Sequence, residues 1–153
     1  MLEVTTDPTT LVRRFYAEVW DTADERVARQ ILHPDLMFRG SLGRSCQGVE
    51  EFLDYMRSIH AALAGYRCVI DELIVTDRRA AARMTFTGLH HGAFFGVPAT
   101  GRQITWAGCA FFTTDRGQIT EVWVQGDVDA IKQQLGIAGK RVDVGEARRR
   151  DGP

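Results

Sequence analysis

Residues Thr85–Asp127 read TFTGLHHGAFFGVPATGRQITWAGCAFFTTDRGQITEVWVQGD, and this stretch decides how the remaining chain must be arranged. Two runs within it, Gln103–Thr113 and Gln118–Gln125, are rich in aromatic and β-branched residues and alternate at period two, as strands do. Thr114-Asp115-Arg116-Gly117 joins them as a tight turn. They are entered through a Gly- and Pro-marked segment, Gly88–Arg102, that carries His90 and His91. Upstream, Tyr66–Thr76 and Ala80–His90 show the same alternation and are joined at Asp77-Arg78-Arg79. Four long strands in succession therefore occupy the C-terminal half.

Before Tyr66 the period is that of helices. Asp7-Pro8 supplies an N-cap and a first-turn proline. Leu11, Val12, Phe15, Tyr16, Val19 and Trp20 then form one broad apolar stripe. Thr22-Ala-Asp-Glu25 has capping-box spacing and predicts a second helix to Leu32, which His33-Pro34 stops. Leu36–Arg39 is a short strand, Gly40–Gly48 a loop, and Phe52, Leu53, Met56, Ile59 and Leu63 mark a third helix ending at Gly65. A last helix runs over Val128–Leu135. Helices followed by strands predict an α+β fold with a curved antiparallel sheet. Residues 1–136 form one domain, and the polar, aperiodic segment 137–153 is expected to be a disordered tail.

The chain has 153 residues, is 44% hydrophobic and 25% charged, and carries a formal net charge of -1. That balance suits one soluble domain and argues against nucleic acid as a partner. Cys46, Cys68 and Cys109 are far apart and show no metal-ligand spacing. Without an apolar leader at the N-terminus they read as reduced thiols of a cytoplasmic protein. No run reaches the ~18 apolar residues of a membrane span.

Alternation assigns Ile104, Trp106, Gly108, Ala110 and Phe112 to one face, with Thr120, Val122 and Val124 beside them. Aromatics interleaved with Gly and Ala predict space for a flat apolar ligand, walled also by Tyr16 and Trp20 from the first helix and by Met84 and Phe86. Phe111, Trp123 and Cys109 fall on the other face, which is too apolar for open solvent and predicts a homodimer through the sheet. A pure dimerisation module would instead need the space to be filled by side chains.

The Gly88–Arg102 segment, with His33-Pro34-Asp35 before the first strand and Gln133-Gln134-Leu135-Gly136 at the end, resembles the SnoaL-like family. The resemblance spans roughly residues 10–136. It implies a cone-shaped α+β barrel with helices packed on the curved sheet, and a part in aromatic polyketide biosynthesis. In the family's aldol-type cyclases a histidine and an aspartate on the last two strands carry the acid–base chemistry. Bringing the Asp-Arg-Gly turn and the Gln-Leu-Gly ending into register places these positions at Ala110 and Val124. The last-strand position is also the catalytic aspartate of related epoxide hydrolases. Both positions are apolar here, so the usual mechanism does not carry over.

The polar residues left nearby are few. His90 matches the family's Gly-x-His-x-Gly segment and can serve as general base or hydrogen-bond donor; its rival role is to stitch the strand end to the next loop. Asp127 can be a carboxylate at the pocket mouth or the N-cap of the last helix. Arg83 can bind an enolate or phenolate oxygen if it points inward, and is a surface residue otherwise. His90 and His91 point to opposite faces, so no metal site is expected. The resemblance implies an enzyme with no bound cofactor, acting on a polycyclic aromatic polyketide. Its role is expected to be of the hydroxylation type, with a redox partner protein supplying reducing power from a nicotinamide cofactor. The alternatives are an aldol-type cyclase using other residues and a non-catalytic carrier of an aromatic metabolite.

Overall fold

A computed structural model describes residues 6–137. The tail expected beyond Gly136 lies, apart from Ile137, outside the described residues. The first helix, α1 (Pro8–Arg14), begins where Asp7 Oδ1 accepts from Thr10 N at 2.8 Å. It passes directly into a π-helical turn, Phe15–Trp20, closed by Asp21 N donating to Tyr16 O at 2.9 Å. All six residues of the apolar stripe are buried. Helix α2 (Glu25–Ile31) is capped by Asp24, whose Oδ1 accepts from Val27 N at 3.1 Å. The capping box expected at Thr22 is not formed, because the Thr22 hydroxyl donates instead to Glu18 O of the preceding turn.

Strand β1 (Leu32–Arg39) starts four residues earlier than expected and runs through Pro34. A register shift between Leu32 and Met37 accommodates the proline, which cannot donate to a ladder. The loop after it contains a short strand, β2 (Ser45–Gln47), before α3 (Gly48–Ala62). The long strands follow as β3 (Leu63–Val75), β4 (Arg79–His90), β5 (Gln103–Asp115) and β6 (Gln118–Gly126), and α4 (Val128–Gln134) closes the domain.

The six strands lie in the order β2-β1-β6-β5-β4-β3. Every neighbouring pair is antiparallel except β1 with β6, which is parallel, so the sheet is mixed rather than wholly antiparallel. This pair joins segments more than 80 residues apart and leaves no local turn signal in the sequence. The α+β fold is as expected, with the sheet curved and not closed on itself.

The inner face of the sheet carries Ala82, Met84, Phe86, Ile104, Trp106, Ala110, Phe112, Val122 and Val124, all buried. Ile119, expected outside, is buried with them. The ladder skips Thr120 between Thr113↔Glu121 and Thr114↔Ile119, and this irregularity reverses parity for the start of β6. Rings from the helices fill the concave side: Trp20 alone meets Phe15, Phe38, Phe52, Tyr55 and Tyr66 with centroids 5.5–6.5 Å apart. Several pairs are edge-to-face, the arrangement the ring quadrupoles favour.

Cys46 and Cys68 are buried and Cys109 is exposed on the outer face. Burial pushes both buried thiols above the ordinary cysteine range, Cys68 the more strongly. One thiol per chain should therefore react quickly with a disulfide reagent at pH 8, and two only on unfolding. Rapid labelling of two or three thiols in the native protein would contradict this packing.

Candidate functional site

Strand pairing lines up the small residues of the inner face. Ala82 stands opposite Ala110 and Ala110 opposite Val124; Met84, Gly108 and Gly126 form the next row. The expected open space above them is mostly taken up by aromatic rings. A Cβ on Gly108 would sit 2.7 Å from the Phe86 ring and 2.6 Å from Gln125 O. A Cβ on Gly126 would meet Ser41 O at 2.7 Å and the Trp106 indole nitrogen at 3.2 Å. Glycine at these rows lets rings lie against the sheet.

Between the rings lies a cavity of about 20 Å³, bounded by Phe15, Tyr16, Trp20, Phe38, Gly40, Ser41, Tyr55, Tyr66, Phe86 and Val124. A space of this size holds about one water and is far below the roughly 300–1,000 Å³ of small-molecule sites. Any larger ligand must displace side chains. Of the residues expected to bind substrate, Tyr16, Trp20, Phe86 and Val124 border this space. Met84, Trp106, Ala110 and Phe112 belong to the surrounding core.

Arg83 does not point inward. It lies on the exposed face of β4, its Nε 3.5 Å from Glu72 Oε2, because its position has the opposite parity to Ala82 and Met84.

The polar chemistry of the interior is unusual in kind. Tyr16 Oη, His90 Nε2 and Trp106 Nε1 are buried without a hydrogen-bond partner among the described residues. Burial raises Tyr16 well above the usual phenol range, and the nearby Cys68 thiol adds to it. At His90 the Thr100 N–H donates to Nδ1 at 3.2 Å, and Thr100 Oγ1 lies 2.8 Å from the same nitrogen. Nδ1 is therefore the acceptor, and the neutral ring carries its proton on Nε2. His90 Nε2 is accordingly a buried N–H donor rather than a free lone pair; neither His90 nor Trp106 borders the cavity. It also stitches strand to loop, as its backbone pairs with Arg102 O and Gly101 N.

Asp127 is an exposed N-cap, its Oδ1 accepting from Ala130 N at 3.1 Å, and it does not border the cavity. Asp127→Ala should cost about 1 kcal/mol and Asp127→Asn almost nothing, measured by urea unfolding. Equal losses for the two variants would show that the charge, not the cap, is what matters.

The cavity residues that escaped the sequence reading are Phe15, Phe38, Gly40, Ser41, Tyr55 and Tyr66. Tyr55 shares the helical face of Phe52, Met56 and Ile59, and that spacing could have revealed it. Gly40 is needed because a Cβ there would stand 2.6 Å from Tyr55 Oη; no local pattern signals such a contact.

The SnoaL-like polyketide cyclase family model matches residues 10–135. The chain belongs to the SnoaL-like polyketide cyclase family. No curated protein sequence matches it significantly. Among solved structures, TsrD from Streptomyces laurentii is similar at 25% identity and TM-score 0.76, over 90% of this chain and 100% of that one. A protein of Jannaschia sp. CCS1, provisionally designated a SnoaL-like polyketide cyclase, is 19% identical with TM-score 0.79, over 91% of this chain and 98% of that one. AclR of Streptomyces galilaeus, provisionally designated a hydroxylase, is 21% identical with TM-score 0.74, covering 86% of this chain and 85% of that one. At 19% and 21% identity the last two likenesses concern the fold alone. Within the family scaffold, Ala110 and Val124 face each other across β5 and β6 and both are buried. Side by side, the two make an alkyl contact.

Proposed function

We propose that this chain is an enzyme that binds a planar, partly enolised aromatic polyketide in the interior of the cone and promotes hydroxylation of its ring. The observation that carries this reading is the set of three unpaired buried groups, Tyr16, His90 and Trp106, each able to donate a hydrogen bond. An unpaired buried polar group costs roughly 1–3 kcal/mol, so three of them favour a ligand whose oxygens take up the bonds. Buried O–H and N–H donors suit an enolate or phenolate, whose negative oxygen they stabilise. They do not suit the aldol cyclase, which needs the pair replaced by Ala110 and Val124.

The overall reaction balances as substrate C–H, dioxygen, reduced nicotinamide and a proton giving substrate C–OH, water and oxidised nicotinamide. A partner reductase supplies the hydride. The outer face of the sheet, where Phe111 and Trp123 are 49% and 39% exposed with rings 5.9 Å apart, is proposed as the homodimer surface. The same loss of the acid–base pair favours, as a second reading, a carrier that binds the metabolite without changing it.

The test is incubation with an anthracyclinone-type precursor, alone and with a reductase plus reduced nicotinamide, followed by mass spectrometry. A gain of one oxygen only with the reductase is the expected result. An isomer of unchanged mass would mean cyclisation instead, and tight binding with no product would leave the carrier.

A further inference from the structure

The π-helical turn does something that an α-helical turn would not. Its i→i+5 bonding stacks Asp21 over Tyr16, with Asp21 N on Tyr16 O at 2.9 Å, so the two side chains share one side of the helix. That side faces an open groove of about 300 Å³ lined by Arg13, Tyr16, Ala17, Asp21, Cys68 and Ile70. Tyr16 also bounds the interior cavity, so it is shared by the linings of both spaces.

Asp21 is the carboxylate of the groove. Its Oδ1 accepts from Cys68 N at 2.8 Å, which fixes the carboxyl against β3. Partial burial lifts it above the ordinary aspartate range, outweighing the lowering by the Cys68 amide, Arg67 and His60. Such a group is a stronger base than a solvent-exposed aspartate once ionised. The second observation is Tyr16 itself, 3% exposed, with a hydroxyl that has no partner among the described residues.

We propose that Asp21 is the general base of this chain, working with Tyr16 on a ligand lodged across the groove and the cavity. The inference rests on the functional reading above and deepens it, since an enol, phenol or activated C–H must lose a proton before the ring can be attacked. The ligand's O–H or C–H bond breaks and the proton passes to the Asp21 carboxylate. The electron pair stays on the ligand as a phenolate or enolate, and the Tyr16 O–H donates to its oxygen. The base is thereby moved from the last two strands to the end of the first helical segment.

The probe is 2-tetralone, a bicyclic ketone whose benzylic C–H next to the carbonyl is acidic. Binding is read by quenching of tryptophan fluorescence, and deuterium uptake from D₂O by mass spectrometry, on the full chain. The expected result is protein-dependent exchange in the wild type that falls by about 100-fold in Asp21→Asn, with affinity changed by less than about threefold. Should Asp21→Asn fold poorly, Asp21→Glu keeps the charge but shifts the carboxyl by one methylene, and a drop of about tenfold or more at unchanged Tm is expected. Unchanged exchange in a folded Asp21→Asn overturns the assignment. Wild-type binding without exchange overturns it too, while leaving the ligand site intact. Absence of binding overturns the functional reading itself.

Discussion

Truncation of Trp20 to alanine is expected to lower the unfolding free energy by about 3–5 kcal/mol, the range for removing a large buried aromatic. Trp20 is 5% exposed and is the hub where the π-helical turn meets the rest of the core. Its ring centroid lies 5.5 Å from those of Phe52 and Tyr66, 6.0 Å from Tyr55, 6.4 Å from Phe38 and 6.5 Å from Phe15. The His60 ring stacks on it at 6.4 Å while His60 Nε2–H donates to Trp20 O at 2.8 Å. Deleting the ring removes contacts between α3, β1, β3 and the first helical segment at once. Against a typical total stability of about 5–15 kcal/mol, the variant would be marginal at 37 °C. Urea unfolding at 25 °C checks this, and a loss below about 1.5 kcal/mol would mean that the core is less closely packed than described.

Tyr16→Phe is expected to move stability and binding in opposite directions. The hydroxyl is buried and unpaired among the described residues, so its removal should raise stability by about 1–2 kcal/mol, the desolvation penalty of such a group. The ring keeps its edge-to-face contacts with Phe15 at 5.0 Å and Phe112 at 5.9 Å, so packing is preserved. Affinity for a hydroxyquinone ligand should fall by about tenfold, one hydrogen bond to a charged oxygen. Thermal melts with and without ligand measure both at once. A hydroxyl that merely holds structure would give a less stable variant, and that result would contradict the site.

The long strands were legible because alternation survives in β4 and β5 almost without interruption, while β3 carries two register shifts against β4, and Gly and Asp-Arg pairs mark their turns. The stripe from Leu11 to Trp20 was legible as a buried helical face, but not as a π-helical turn. Residue spacing alone does not distinguish i+4 from i+5 closure when both neighbours are aromatic. Ile119 was misplaced because one ladder irregularity at Thr120 reverses the parity of the strand before it. Thr22 and Asp24 are both good caps two residues apart, and the bond from the Thr22 hydroxyl back to Glu18 O leaves the capping to Asp24.

The site was less legible than the fold. Parity put Ala110 and Val124 on the inner face, failed at Thr120 and Ile119, and left Arg83 ambiguous only because facing was not yet fixed. Gly108 and Ala110 suggested open space, whereas the structure uses their smallness to seat Phe86 and its neighbours. Volume depends on which rings enter a gap from other elements, and no local pattern records that. Asp21 was invisible for the same reason: its environment is made by Cys68, 47 residues away.

In the proposed function the interior of the cone is a ligand site whose anchors are Tyr16, His90 and Trp106. Calorimetric titration of the full chain with 1,8-dihydroxyanthraquinone at several temperatures tests it most directly. Saturable one-to-one binding on the order of micromolar, with a negative heat-capacity change from apolar burial and weaker binding by Tyr16→Phe, is the expected result. Absence of saturable heat up to the solubility limit of the ligand, or equal affinity in Tyr16→Phe, would contradict it.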